Sequence, residues 1–383
     1  MTNFFCYPFL LLCLTFGCNV KPSSSTDNNN ESTGIYDMSG DIVHYALGYT
    51  VTPCDGYTSV EVKSPWHDGQ LLQRYLLVPR GNALPDAMPT GTVIRVPLRN
   101  IVVYAAVHAN ALNDLGIIDD VVGVCESRYI KVPTVVDRIK KGQIHDLGNS
   151  TSPNIEKMIA IGTEAVIISP FDQSDYGMLE KTGIPIIECA DYMEADPLGR
   201  AEWMKFLGLL CGKVALADSL FHETESNYLH MKTLTENVAY RPKLMTEKRY
   251  GSSWYVSGGE SYMASIFEDA GADYIFRYLP GAGGTSLSFE TMLDKAIHAD
   301  IWIINYNGNE AMTYPALRSE YPSYDQFDPF RNRRIYGCNA ETSLYFEEVP
   351  MHPDYLLAEL IAIFHPTLLP EHSFRYFSPL KED

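Results

Sequence analysis

Between Asn100 and Ser169 the apolar positions fall into short continuous runs, separated by stretches in which they recur every three or four residues. The runs are Ile101-Val102-Val103-Tyr104, Val121-Val122-Gly123-Val124 and Ala165-Val166-Ile167-Ile168. Runs of this length read as strands buried on both faces, and the periodic stretches, Ala109 to Leu115 and Asn154 to Ala160, as amphipathic helices. Gly116 and Gly162 close the helices. The alternation predicts βαβ units of a parallel sheet, with ligands held by the loops that follow the strand C-termini.

A second set of the same kind follows Lys243. Trp254-Tyr255-Val256 leads into Ser257-Gly258-Gly259-Glu260-Ser261 and a helix from Tyr262 to Ala270. A helix beginning Ser288-Phe289-Glu290 precedes the apolar strand Ile301-Trp302-Ile303-Ile304-Asn305. Arg334-Ile335-Tyr336-Gly337 reads as the last short strand and His352 to Phe364 as a terminal helix. Between the two sets, apolar or small residues recur at Val214, Ala217, Phe221, Thr224, Tyr228, Met231 and Leu234, close to the helical period. That stretch predicts one helix of about 25 residues, roughly 37 Å long, enough to join two lobes.

Ahead of these sets the pattern changes. Ser59 to Lys63 and Leu72 to Val78 alternate, with turns at Cys54-Asp55-Gly56, at Pro65 to Gly69 and at Arg80-Gly81-Asn82. They predict a small antiparallel β extension, with Thr92 to Val96 as a further strand. Trp66 and His67, in a turn, read as packing residues. At the start, Phe4 to Phe16 is an apolar run of signal-peptide length, and Gly17-Cys18 behind it resembles a bacterial lipoprotein cleavage site. Cys18 is then the lipidated residue, an anchor that does not span the membrane. Lys21 to Thr33 is rich in Ser, Asn and Pro and reads as a flexible tether. The expected division is signal peptide 1–17, tether 18–35, β-rich extension 36–98, lobe one 99–212, linker helix 213–240 and lobe two 241–383.

With 383 residues, 46% hydrophobic and 20% charged, the composition is that of a soluble globular chain. A net charge of −19 argues against nucleic acid as a partner. Five cysteines lie beyond the N-terminal segment (Cys54, Cys125, Cys189, Cys211, Cys338), an odd number with no C-x-x-C, and read mostly as small buried hydrophobes. No nucleophile elbow and no paired-histidine zinc motif occurs. Gly281 to Ser286 lacks the lysine of a phosphate-binding loop and reads as a flexible loop. The histidines are scattered, and no metal site or cofactor is called for.

The order of several short motifs resembles the Fe/B12 periplasmic-binding family, the substrate-binding proteins of ABC importers for ferric siderophores, haem and cobalamin. These motifs are Ala111 to Gly116 with Val121 to Val124, Asn154-Ile155-Glu156 with Ala165 to Ile168, and Gly183-Ile184-Pro185. The Ser257 to Ser261 helix start, Ser288-Phe289-Glu290 and His365-Pro366 continue it in the second half. The resemblance covers roughly Asn100 to Pro370 and leaves out 36 to 99. It implies an α/β fold of two Rossmann-like lobes joined by a long rigid helix, the class III periplasmic-binding fold, here with an N-terminal β extension. It implies a binder with little hinge closure, not an enzyme. On residue type alone, Glu156 and Glu290 would complement the dipoles of the helices they open. The resemblance implies instead that each meets arginines of one subunit of the permease dimer. It also places a metal chelate between the lobes, with candidate contacts at His108, Arg128, Tyr129, Phe171, Asp172, Trp254, Tyr255, Tyr306, Tyr345 and Phe346. Aromatics offer broad low-entropy contact, and an arginine pairs with an anionic chelate. A ferric siderophore or haem is the expected cargo, with a corrinoid as the alternative, and the cell envelope, facing the periplasm, is the expected location. Bare metal ions, an anchored enzyme and a non-transport scaffold remain open as other readings of the same fold.

Overall fold

The computed structural model describes residues 42–383. The expected signal peptide, Cys18, the whole tether and the first residues of the expected extension lie outside the described residues. Lobe one holds a five-stranded parallel sheet in the order His145–Asp146, Val121–Val124, Ile101–Val103, Ala165–Ile168, Ile186–Glu188. Its apolar runs are buried on both faces, as parallel strands between helical layers must be. Ile101, Val103, Ala165 and Ile167 join one core, while Val102, Val166 and Ile168 join the other, following the two-residue side-chain period. Lobe two repeats the plan in the order Asp273–Tyr274, Lys243–Thr246, Ile301–Tyr306, Ile335–Asn339, Phe377–Pro379. Its last strand runs antiparallel. That strand follows the segment expected to be the final one, so the chain returns to the sheet once more than anticipated.

In both sheets the first strand of the lobe is an interior one, Ile101–Val103 in lobe one and Lys243–Thr246 in lobe two. The chain leaves it to one side and later returns on its other side, next to Ala165–Ile168 in lobe one and Ile301–Tyr306 in lobe two. The crevice beyond the C-terminal ends of such a pair is a topological switch point, where open α/β sheets bind ligands.

The N-terminal extension is a four-stranded sheet of Tyr49–Cys54, Tyr57–Lys63, Leu71–Pro79 and Thr92–Val96. It is not wholly antiparallel. The last two strands run parallel, because the connection 80–91 is long enough for the crossover that a parallel pair requires. Val60, Val62, Tyr75, Leu77 and Ile94 share a core with lobe one. Tyr75 also serves the edge of the lobe-one sheet. Its hydroxyl donates to Ile186 O at 3.1 Å and accepts from Glu188 N at 2.8 Å, in place of a neighbouring strand.

The linker is a single helix, Val214–Thr235, about 33 Å long at 1.5 Å per residue. It packs on the lobe-one helix Trp203–Cys211 and on the lobe-two terminal helix Pro353–Phe364. Gly208 permits the first crossing, since a Cβ there would lie 2.4 Å from that of Ala217. The chain enters the fold through a clamp. Glu202 accepts from His44 N, Tyr45 N and Ala46 N at 2.7–3.0 Å, and Glu194 accepts from Leu47 N and Gly48 N at 3.1 and 2.8 Å.

Residues 281–286 are not a free loop. Gly284–Leu287 is a strand paired with Ser253–Ser257, and the preceding segment is hydrogen-bonded onto Gly258 and Gly259. Any Cβ at Gly258 or Gly259 would meet the carbonyl of Gly281 or Arg277 at 2.1 or 1.8 Å. All five cysteines among the described residues are free, and four are buried.

Candidate functional site

At the lobe-two switch point lies a cavity of about 320 Å³. Thr246 and Glu247 from the end of the strand Lys243–Thr246 and Ile303 and Asn305 from its neighbour Ile301–Tyr306 form part of its lining. Tyr345 and Phe346 also line it, as does Arg200, which comes from lobe one.

Arg200 lies on the helix Pro197–Ala201, which starts with Asp196 accepting from Gly199 N at 2.8 Å and with Pro197 in the first turn. Pro there loses no hydrogen bond, and Asp is a favoured cap. The Arg200 Nε lies 3.3 Å from Asp191 Oδ2, and His108 Nε2 lies 3.0 Å from Asp191 Oδ1. Both His108 and Asp191 are buried. Burial alone would push the Asp191 carboxyl up, but the His108 hydrogen bond and the Arg200 charge hold it below its ordinary value. The guanidinium sits 5.1 Å from the Tyr262 ring centroid, so it is fixed from behind by a carboxylate and from one side by an aromatic face.

Glu247 stands opposite in character. Its φ is +61°, a left-handed conformation that is rare for a residue with a side chain. Two backbone contacts impose it: Glu247 N donates to Ile303 O at 2.8 Å, and Trp302 Nε1 donates to Glu247 O at 2.7 Å. The carboxylate takes a hydrogen bond from Asn305 Nδ2 at 2.8 Å. Burial raises its pKa above the ordinary value, against the lowering effect of Asn305. Asn305 Oδ1 is buried and has no partner.

Of the ten residues expected to contact ligand, the structure brings Tyr345 and Phe346 into this cavity. Trp254 is 0% exposed, donates from Nε1 to Thr246 O at 2.9 Å and packs among Trp302, Tyr324 and Phe327. It is a core residue and not a cleft contact. Tyr255, its neighbour in the strand, faces the opposite side and is 53% exposed. Strand alternation forbids the two from sharing a surface. Tyr306 is likewise packed, its hydroxyl accepting from Met312 N at 2.8 Å. His108 contacts Asp191 behind Arg200 and is not part of this cavity's lining. Arg128 stacks 4.4 Å over the exposed Tyr129 ring, and Asp172 lies 3.3 Å from His67 of the extension beside a 71% exposed Phe171. Those four lie on lobe-one loops outside the cavity lining.

Arg200, Glu247 and Asn305 were not among the expected residues. Glu247 and Asn305 were accessible to the rule that ligands meet strand C-termini, since Glu247 follows one strand and Asn305 ends the apolar run of the next. Arg200 carries no such signal.

Glu156 and Glu290 occupy matching places. Each is the second residue of a helix, Ile155–Ala160 and Phe289–Ala296, capped by Asn154 or Ser288 and followed by the strand beyond the switch point. Both are exposed. The Glu290 carboxyl is held below its ordinary value by its own backbone N–H and by Ser288.

The sequence profile described as periplasmic binding protein matches residues 101–342. The chain belongs to that family, whose members are substrate-binding transport proteins and not enzymes. An uncharacterized lipoprotein of Methanocaldococcus jannaschii is 29% identical over 296 residues, covering 74% of this chain and 69% of the relative. Among solved structures, the periplasmic heme-binding protein RhuT of Roseiflexus sp. RS-1 aligns with a TM-score of 0.57 at 17% identity, over 71% of this chain and 99% of that one. The ABC-type Fe3+-hydroxamate transport protein of Saccharomonospora viridis aligns at 0.54 and 16% identity, over 70% and 94%. These two likenesses place the fold in the class III periplasmic-binding group. The extension lies outside the span that the family profile matches.

Proposed function

We propose that the chain is an extracytoplasmic, lipid-anchored protein that captures a metal chelate, a ferric siderophore or haem, and hands it to an ABC importer, with Glu156 and Glu290 docking the two permease subunits. The observation that carries this reading is the cavity at the lobe-two switch point, walled by aromatics and entered by an anchored arginine. Among the described residues, no three His, Cys, Asp or Glu side chains gather to hold a metal ion. A chelate supplies its own metal ligands and needs only shape, aromatic contact and a few polar partners. A corrinoid is the second reading, since its macrocycle would use the same aromatic wall.

The two glutamates support docking by their placement. They are exposed, lie on equivalent helices of the two lobes, and open the sheet ends on which the cavity lies. Charge pairs of this kind set register and association rate more than final affinity. The test is growth on the chelate as sole metal source in cells carrying Glu156→Ala with Glu290→Ala. Uptake is expected to be lost while chelate affinity of the purified protein stays within twofold of wild type. Unchanged uptake would overturn the docking assignment.

A further inference from the structure

The polar groups that line the cavity are unbalanced. Arg200 is already matched by Asp191, whose other carboxylate oxygen lies 3.0 Å from His108 Nε2. The positive charge that reaches the cavity is therefore neutralised from behind. Glu247 adds a carboxylate whose hydrogen bonds come from Asn305 alone, and Asn305 itself leaves Oδ1 buried and unpaired. Glu202 shows what a satisfied carboxylate looks like in this chain. It takes three backbone N–H groups and Lys205 Nζ, at 2.9 Å from the last, and its pKa falls below the ordinary value despite burial. Glu247, with one neighbour, moves the other way. Glu247 thus brings to the cavity lining a half-buried carboxylate with a single side-chain donor, on a backbone position held at positive φ.

We infer that the part of the ligand seated in this cavity is neutral or cationic and presents N–H donors, an ammonium or a carboxamide, to Glu247. The inference rests on the chelate-binding reading above and narrows it. Chelates with anionic rims, such as haem with its two propionates or a ferric tris-catecholate, meet a carboxylate where they need a donor. Arg200, held by Asp191, then orients metal-bound oxygens or carbonyls in the cavity instead of neutralising a strongly anionic ligand.

The experiment is calorimetric titration of the full chain with four probes: ferrioxamine B, whose arm ends in an ammonium; cyanocobalamin, whose rim carries carboxamides; haem; and a ferric tris-catecholate. One of the first two is expected to bind at least about tenfold more tightly than either anionic probe. Glu247→Lys places a donor where the ligand must donate and is expected to weaken that probe by tenfold or more, since a hydrogen bond to a charged group is worth about 1.5–3 kcal/mol. Glu247→Gln separates the two sources. It weakens an ammonium ligand by about tenfold and changes a carboxamide ligand by less than about threefold, and it keeps the assignment testable if the lysine variant fails to fold. Haem or the tris-catecholate binding wild type as tightly as the donor probes, or Glu247→Lys binding within twofold of wild type, overturns the donor assignment and leaves the chelate-binding reading standing. Binding of none of the four overturns both.

Discussion

Two glutamates, one at the clamp where the chain enters the fold and one in the cavity lining, invite comparison. Glu202, where the chain enters the fold, is 0% exposed and surrounded by donors: His44 N, Tyr45 N, Ala46 N and Lys205 Nζ. Glu247, at the lobe-two switch point, has Asn305 and the open side of a cavity. Burial penalises both carboxylates. In the first, hydrogen bonds outweigh the penalty and the pKa is lowered; in the second they do not and it is raised. The difference separates a carboxylate that holds the fold together from one held in readiness for a ligand. A fully paired buried charge is architecture, whereas one left short of donors on a strained backbone marks a site.

That contrast can be broken by mutation. The largest effect is expected at Glu202→Gln, which leaves Lys205 without its charge partner and one backbone N–H facing an amide nitrogen. Loss of one member of a buried ion pair costs about 3–5 kcal/mol, read by chemical denaturation. Asp191→Asn comes next. Its partner Arg200 is partly exposed, with 18% of its side-chain surface free, so about 2–3 kcal/mol is expected. Glu247→Gln is expected to fall within about 1 kcal/mol of wild type or to stabilise slightly, because it removes a charge that the fold does not satisfy. A loss as large as that of Glu202→Gln would erase the distinction.

Acid titration sharpens the comparison through opposite signs. Glu202 is lowered from an ordinary value of 4.5, so its contribution is full above 4.5 and disappears as pH falls through its lower folded value. Glu247 is raised from 4.5, so the folded state is relatively favoured once it is protonated, and that gain is lost as pH rises through its folded value. The stability difference between wild type and Glu202→Gln should therefore shrink on acidification below 4.5. The difference between wild type and Glu247→Gln should move in favour of wild type as pH falls towards 4.5. Parallel profiles for the two variants would contradict the account.

The frame of the molecule was legible because its signals are local. Val121–Val124 and Ala165–Ile168 are uninterrupted apolar runs, and the linker helix shows its buried stripe at Ala217, Phe221, Thr224 and Tyr228. The site was less legible, because it is made by elements far apart in sequence. Trp254 was attractive as a large aromatic beside a Gly-rich turn, yet alternation within Ser253–Ser257 turns it inward and turns Ser257 to the cavity. Gly281 to Ser286 looked unstructured because its pairing partner lies some thirty residues away. The buried charges Glu194, Glu202 and Asp191 carry no sequence signal at all. Their donors are backbone groups and side chains brought up by folding, and a charged residue by itself reads as solvent-facing.

The most direct test of the central claim is calorimetric titration of wild type and Arg200→Met with the ferric trishydroxamate and corrinoid probes. The account predicts saturable one-site binding of a chelate by wild type. Arg200→Met should weaken it by at least about tenfold, the worth of a charge-assisted hydrogen bond, with the circular dichroism spectrum unchanged. Equal affinity in the two proteins, or no binding by wild type, would contradict it.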